Sequence, residues 1–160
     1  MRKPTLDKLD QIDIAIIGHL QHDGRRPFTT IARGLGISEA SVRQRVARLR
    51  RNNVIQIVAV SSPLDLGLTW VQVQLRVRGD RVQAVAEAVA ELAAVDYVSI
   101  CAGSCDLIVG VVAHDREELM DILLNHIRSI PGAEQADMLT HLKILKDNYE
   151  WSPAKGPETA

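Results

Sequence analysis

The sequence predicts an α+β fold: an N-terminal helix-turn-helix (winged-helix-like) domain followed by a C-terminal ferredoxin-like βαββαβ domain. Three observations predict it. Apolar residues recur at helical spacing in three segments between residues 10 and 52, the second and third joined by a short turn containing glycine. Strand and helix patterns then alternate in the order βαββαβ. Charge changes sign between the halves. Residues 1–60 hold 11 Lys and Arg against 5 Asp and Glu, a net of +6, and residues 61–160 hold 8 against 15, a net of −7. A split of this kind, hidden in a total of −1, suggests a half that binds nucleic acid joined to one that does not. Chance segregation of surface charge is the alternative.

The first helix runs from Asp10 to Gln21. Ile12, Ile16 and Leu20 recur every four residues with Ile17 beside them, Asp10 suits the N-cap, and Asp23-Gly24 makes the turn. The second covers Pro27 to Leu35, with Ile31 and Leu35 inward. Proline fits a helix start because its missing N–H would have no intrahelical partner there. Gly36-Ile37-Ser38 turns the chain into a third helix ending near Asn52. Ser38 is a good N-cap, Glu39 favours the positive end of the helix dipole, and Val42, Val46 and Leu49 form the apolar stripe. Val54 to Val60 reads as a strand, and Ser61-Ser62-Pro63 as the domain boundary.

Past that boundary, Val71, Val73, Leu75 and Val77 alternate with Gln72, Gln74 and Arg76 in a strand from Leu68 to Val77. Asp80-x-x-Gln83 resembles a capping box opening a helix that buries Val82, Val85, Ala86, Val89 and Leu92. Strands follow at Tyr97–Ala102 and Leu107–Ala113. Asp115-x-x-Glu118 repeats the cap before a helix through Leu119, Leu123, Ile127 and Ile130, which Pro131-Gly132 stops. The last strand is expected near Asp137 to Leu145. The domains are thus 1–60, 61–148 and a flexible tail, 149–160. With both helices on one sheet face, the other needs cover. Val71 and Val109 are expected to face that way, so a homodimer covering the sheet follows.

Composition excludes several classes. With 46% hydrophobic and 24% charged residues the chain is not disordered. No apolar run approaches the roughly 20 residues of a membrane span, and the start lacks the apolar region of a signal peptide. Cys101 and Cys105 are too few for a disulfide scaffold or a four-thiolate zinc site. They read as two reduced structural thiols rather than a redox pair. The five histidines form no ligand-spaced group, and no P-loop or nucleophile elbow occurs, so no metal and no cofactor is expected. A cytoplasmic location fits all of this.

The third helix is the candidate nucleic-acid reader. At about 100° per residue, the face opposite its apolar stripe carries Ala40, Gln44, Ala47, Arg48 and Arg51, flanked by Ser41 and Arg43. Small residues permit close approach to a groove, Gln pairs with adenine and Arg with guanine or phosphate. The candidate base contacts are Ser41, Gln44, Ala47 and Arg48. The candidate backbone contacts are Ser38, Arg43 and Arg51. A merely solvated arginine-rich face is the alternative. Arg45 lies near the buried edge and is expected in a salt bridge to another helix of its own domain.

Asp7-x-x-Asp10-x-x-Asp13, Leu20-Gln21-x-Asp23-Gly24-Arg25, Leu35-Gly36-Ile37-Ser38 and Val42-x-x-Arg45-Val46-x-Arg48-Leu49 resemble the DNA-binding half of the Lrp/AsnC (feast/famine) transcription regulators. The likeness continues through Pro63, Gly67, Gly103-x-x-Asp106, Pro131-Gly132 and Lys146, so it covers about residues 5–146. The resemblance implies that the second half is the family's RAM domain. It implies dimers, often assembled into octamers or larger, that bind double-stranded DNA in the major groove. It also implies an effector, commonly an amino acid, bound between dimers. The family's effector signature maps onto Gly103, Ser104, Cys105 and Asp106, where glycine would expose backbone N–H groups to a carboxylate and Asp106 would accept from an ammonium group. A plain hairpin turn, with Asp106 capping its own backbone, is the alternative. Cys105 stands where the family often has an aromatic residue, and Ala136 and Met138 where it often has a Thr-x-Thr pair. A pocket so altered would suit a larger or apolar amino acid. A second resemblance, to the sirohaem decarboxylases of similar architecture, implies an enzyme using His114, His126 and His141. The arginine-rich face has no purpose in that reading.

Overall fold

A computed structural model describes residues 9–149. They form two compact units that divide between residues 59 and 60, with 146–149 counted with the first. The expected tail lies outside the described residues except at Tyr149.

The first unit is three helices: α1 (Gln11–His22), α2 (Phe28–Leu35) and α3 (Glu39–Arg51). Their ends follow the local chemistry. Asp10 caps α1 in a reciprocal box with Asp13, each carboxylate accepting the other residue's backbone N–H. Pro27 precedes α2, and Gly36 ends it at φ 65°, a left-handed value that glycine adopts without steric cost. The Ser38 hydroxyl accepts from the Ser41 N–H at the start of α3. Asn53, at φ 53°, turns the chain out of it. Ile16, Leu20, Ile31, Ala32, Val42, Val46 and Leu49 make the core.

Residues 54–60 form no strand, contrary to the sequence expectation. Ile57, Val58 and Val60 are exposed. A β pattern becomes a strand only when a neighbour accepts its backbone hydrogen bonds, and none of the described strands pairs with this segment.

The second unit runs β1 (Thr69–Val77), α4 (Val82–Ala90), β2 (Val95–Ile100), β3 (Leu107–Ala113), α5 (Arg116–Asp121) continuing as a π-helical stretch (Ile122–Ile127), and β4 (Ala133–Thr140). The sheet order is β2-β3-β1-β4 and every pair is antiparallel. This is the ferredoxin-like arrangement, with α4 and α5 packed on one face. Val71, Val73, Leu75, Leu107, Val109 and Val111 meet Val85, Val89, Leu119, Leu123 and Ile127 in one core.

Four expectations need correction here. Val71 and Val109 do not face the open side of the sheet; both are fully buried beneath the helices. The open face carries the alternate residues. Trp70 lies opposite Val112, Gln74 opposite Ile108, Tyr97 opposite Gly110 and Leu139 opposite Gln72. Asp80 does not cap α4, whose N-cap is Arg81 with no side-chain bond. Asp115 does cap α5, but Glu118 reaches back to the N–H of His114 and not to that of Asp115, so neither box is complete. Finally, β4 begins at Ala133, earlier than expected. A left-handed Gly132 (φ 109°) lets the chain re-enter the sheet directly after the helix.

Candidate nucleic-acid interface and effector site

Val42, Val46 and Leu49 are buried, which fixes the rotation of α3. The opposite side is open. Ser38, Arg43, Gln44, Arg48 and Arg51 are exposed, and Ser41 and Ala47 are half-buried. Six of the seven candidate residues therefore lie on α3 outside its buried stripe, and Ser38 stands at its N-cap. Arg43 is held by Glu39 one turn earlier and lies 5.7 Å from the ring centroid of Phe28 on α2, within cation–π range.

Behind this surface is a feature that the sequence reading missed. Asp13 is a completely buried carboxylate. A buried charge is tolerated only when paired and hydrogen-bonded. Its Oδ1 accepts from Nη1 of Arg45 at 2.8 Å, and its Oδ2 accepts from Nη2 of Arg48 at 2.5 Å and from the Asp10 N–H at 3.2 Å. Arg45 also reaches both Asp10 oxygens, at 2.7 and 2.8 Å. The expected salt bridge of Arg45 is thus present, and Arg48, read only as a base contact, is tied to the same carboxylate. The signal was available: Asp13 leads the stripe Asp13, Ile16, Leu20, so an acid stands where a core residue belongs. The backbone N–H of Asp13 and the Arg45 guanidinium lower the Asp10 pKa, and Asp10 and Asp13 raise that of Arg45.

In the second unit, Gly103 and Ser104 are exposed at the tip of the β2–β3 turn, Cys105 is buried and Asp106 half-buried. Gly103 has φ 152°, a value that side chains disfavour. Asp106 is held at three points. Its carbonyl accepts from Cys101 N–H, its N–H donates to Leu75 O, and its Oδ2 accepts from Val77 N–H at 2.8 Å. The carboxylate therefore pins the turn to the end of β1 rather than capping its own backbone. Leu75 pairs with Leu107 on one side and Ala136 on the other. This brings Asp106 and Ala136 to the two flanks of the same β1 segment, about two strand spacings (roughly 10 Å) apart. Ala136 packs on the core, whereas Met138, opposite Val73, is 45% exposed. Both cysteines are free thiols.

The three histidines named for an enzyme serve separate local contacts. His114 bonds Glu118, His126 bonds Asp121, and His141 stacks on Trp70 at 4.3 Å. No group of three or more His, Cys, Asp or Glu able to hold a metal ion occurs among the described residues. No helix among them is long and apolar enough to cross a membrane.

A tri-helical unit with an exposed arginine-bearing third helix, ahead of a ferredoxin-like unit, defines the class of helix-turn-helix transcriptional regulators with a ligand-binding domain. Residues 9–50 match the AsnC-type helix-turn-helix domain, and residues 70–151 match the Lrp/AsnC ligand-binding domain. The chain belongs to the Lrp/AsnC family. It is 35% identical over 149 residues to an HTH-type transcriptional regulator of Pyrococcus furiosus, covering 92% of this chain and 98% of the relative. It is 33% identical over 140 residues to the regulator LrpA of Pyrococcus horikoshii, covering 86% and 99%. Among solved structures, it resembles a transcriptional regulator of Neisseria meningitidis in complex with L-Met. That match has a TM-score of 0.75 and 22% identity over 89% of this chain and 96% of that one. Nothing in these relatives supports the enzyme reading.

Proposed function

We propose that this chain is a cytoplasmic, non-enzymatic regulator whose α3 enters the DNA major groove. Ser41, Gln44, Ala47 and Arg48 face base edges there, while Ser38, Arg43 and Arg51 bind the phosphate backbone. The observation that carries this reading is the orientation of α3. Its three buried residues turn inward, so the remaining sides with Gln44, Arg43, Arg48 and Arg51 are exposed, and the helix belongs to the positively charged half.

The effector is a large or apolar amino acid. Gly103, Ser104, Cys105 and Asp106 bind its charged groups, and Ala136 and Met138 line the side-chain end. Two features support this. Cys105 is smaller than the aromatic residue common in the family and leaves more room, Ala136 and Met138 lack the hydroxyls of the common threonines, and the structural relative from Neisseria meningitidis is a complex with L-Met. A second copy of the chain covers the open sheet face, where Tyr97 and Leu139 are 55% and 50% exposed beside Trp70, Ile108 and Val112. Dimers assemble further, to octamers or larger. Selection of bound duplexes from a random pool, with and without amino acids, tests the reading together with a solution mass measurement. Recovery of a palindromic site by a dimer or multiple of dimers is expected. Unselective recovery would overturn it.

A further inference from the structure

Arg48 is 45% exposed along its side chain, yet it is anchored to a carboxylate that is 1% exposed. An exposed arginine ordinarily samples many rotamers, and binding must freeze them. This one is held by a single amino group. Of the five N–H donors of a guanidinium, the contact with Asp13 uses one, and the other four meet no partner among the described residues. Asp13 is itself held on several sides. It lies within the first turn of α1, its backbone N–H is bonded to Asp10, and Arg45 occupies its other oxygen. Arg45 and Arg48 are one helical turn apart, so both approach this carboxylate from the same flank of α3.

We propose that Asp13 is a positioning residue for sequence recognition: its buried carboxylate fixes the Arg48 guanidinium in one orientation, so that the rest of the fork is presented to a base edge already ordered. This rests on the reading that α3 faces the bases. Asp13 touches no DNA itself. Specificity at one base-pair step of each half-site is then set in part by a residue buried on a different helix. The Arg45 contact neutralises and stabilises; the Arg48 contact orients.

The test uses the full chain and the duplex recovered by random-pool selection. Affinities are measured for that duplex, for duplexes changed at each base pair, and for a random duplex, all at one salt concentration. Arg48→Ala should flatten the preference at one step by about tenfold or more. Asp13→Asn keeps the side-chain shape but not the charge: an amide oxygen in the Oδ2 place still accepts from the Asp10 N–H and leaves Arg48 a neutral acceptor where it had a carboxylate, a hold of roughly half the strength. It should flatten that same step several-fold, with affinity for random duplex changed less than about twofold. In the Arg48→Ala background it should have no further effect at that step. A uniform loss on every duplex, or a change at a different step, would overturn the proposal. Arg48→Lys gives a second measurement should Asp13→Asn fail to fold, because it alters an exposed side chain and replaces the fork with a point charge. It should lose the preference while keeping random-duplex affinity, and retained preference overturns the proposal. Failure of the parent reading is visible separately, as a wild-type protein with no base preference.

Discussion

Among single residues, the acid–base cluster behind α3 carries the most consequence. Arg48→Ala should weaken operator binding by about 1–3 kcal/mol and relax specificity, whereas Arg43→Ala should weaken all duplexes alike and reduce the slope of log K against log salt by about 0.9 for each phosphate it no longer neutralises. Titration by fluorescence anisotropy over a salt series separates the two. Asp10 makes a pH prediction. Its carboxyl is held below the ordinary carboxylate range by the Asp13 N–H and by Arg45. A depressed folded-state pKa contributes stability above the unfolded value, about 4, which is lost as pH falls through the folded one. Thermal unfolding should therefore show wild type losing stability below about pH 4 more steeply than Asp10→Asn, which still caps α1 but carries no charge. Equal slopes would assign the acid loss to other groups. Arg45 was legible in the sequence because it falls at the edge of a helical stripe. An acid at the core position of Asp13 was legible too, but its pairing with Arg45 and Arg48 was not, since those contacts span 32 and 35 residues.

For the elements, legibility depended on whether the determinant is local. Helix caps at Asp10 and Ser38 and the left-handed Gly36 are settled by a few neighbouring residues, and those helices appear where the periodicity places them. β3 has the expected bounds because its apolar run is buried at five of seven positions. Residues 54–60 and β4 were misjudged for the opposite reason. Hydrophobic alternation says that a segment can pair but not which neighbour it meets. At Gly132 the backbone leaves little choice. It sits at φ 109°, and a Cβ would lie 2.9 Å from the Cβ of Arg81. Gly132→Ala should destabilise the second unit by more than about 1 kcal/mol, read as a lower denaturant midpoint without a change in slope. A smaller loss would mean that the α5–β4 link relaxes freely.

For the whole molecule, the division of charge matters more than its sum. The first 60 residues hold the net positive charge and the candidate contact surface; the remainder is net negative and carries the Gly103–Asp106 turn. Effector identity is the property least legible in the sequence, because the proposed site draws on a turn and a strand that lie on opposite flanks of β1. Calorimetric titration with all twenty amino acids should show binding of large or apolar ones. Binding confined to small polar ones would remove the assignment of Cys105 and Met138 to the pocket.

The π-helical stretch after α5 has a consequence for how the chain tolerates change. Each of its turns holds one residue more than an α-helical turn, as in the bond from Arg128 N–H to Leu123 O across five positions. Leu124, enclosed by that bond, is 46% exposed. Its removal leaves that bond in place as an ordinary four-residue one, and brings Leu123 and Ile127 three apart, still on one side of the helix. Deletion of Leu124 should therefore lower the denaturant midpoint less than deletion of a residue early in α3, where the loss rotates every later arginine by about 100° against the buried stripe.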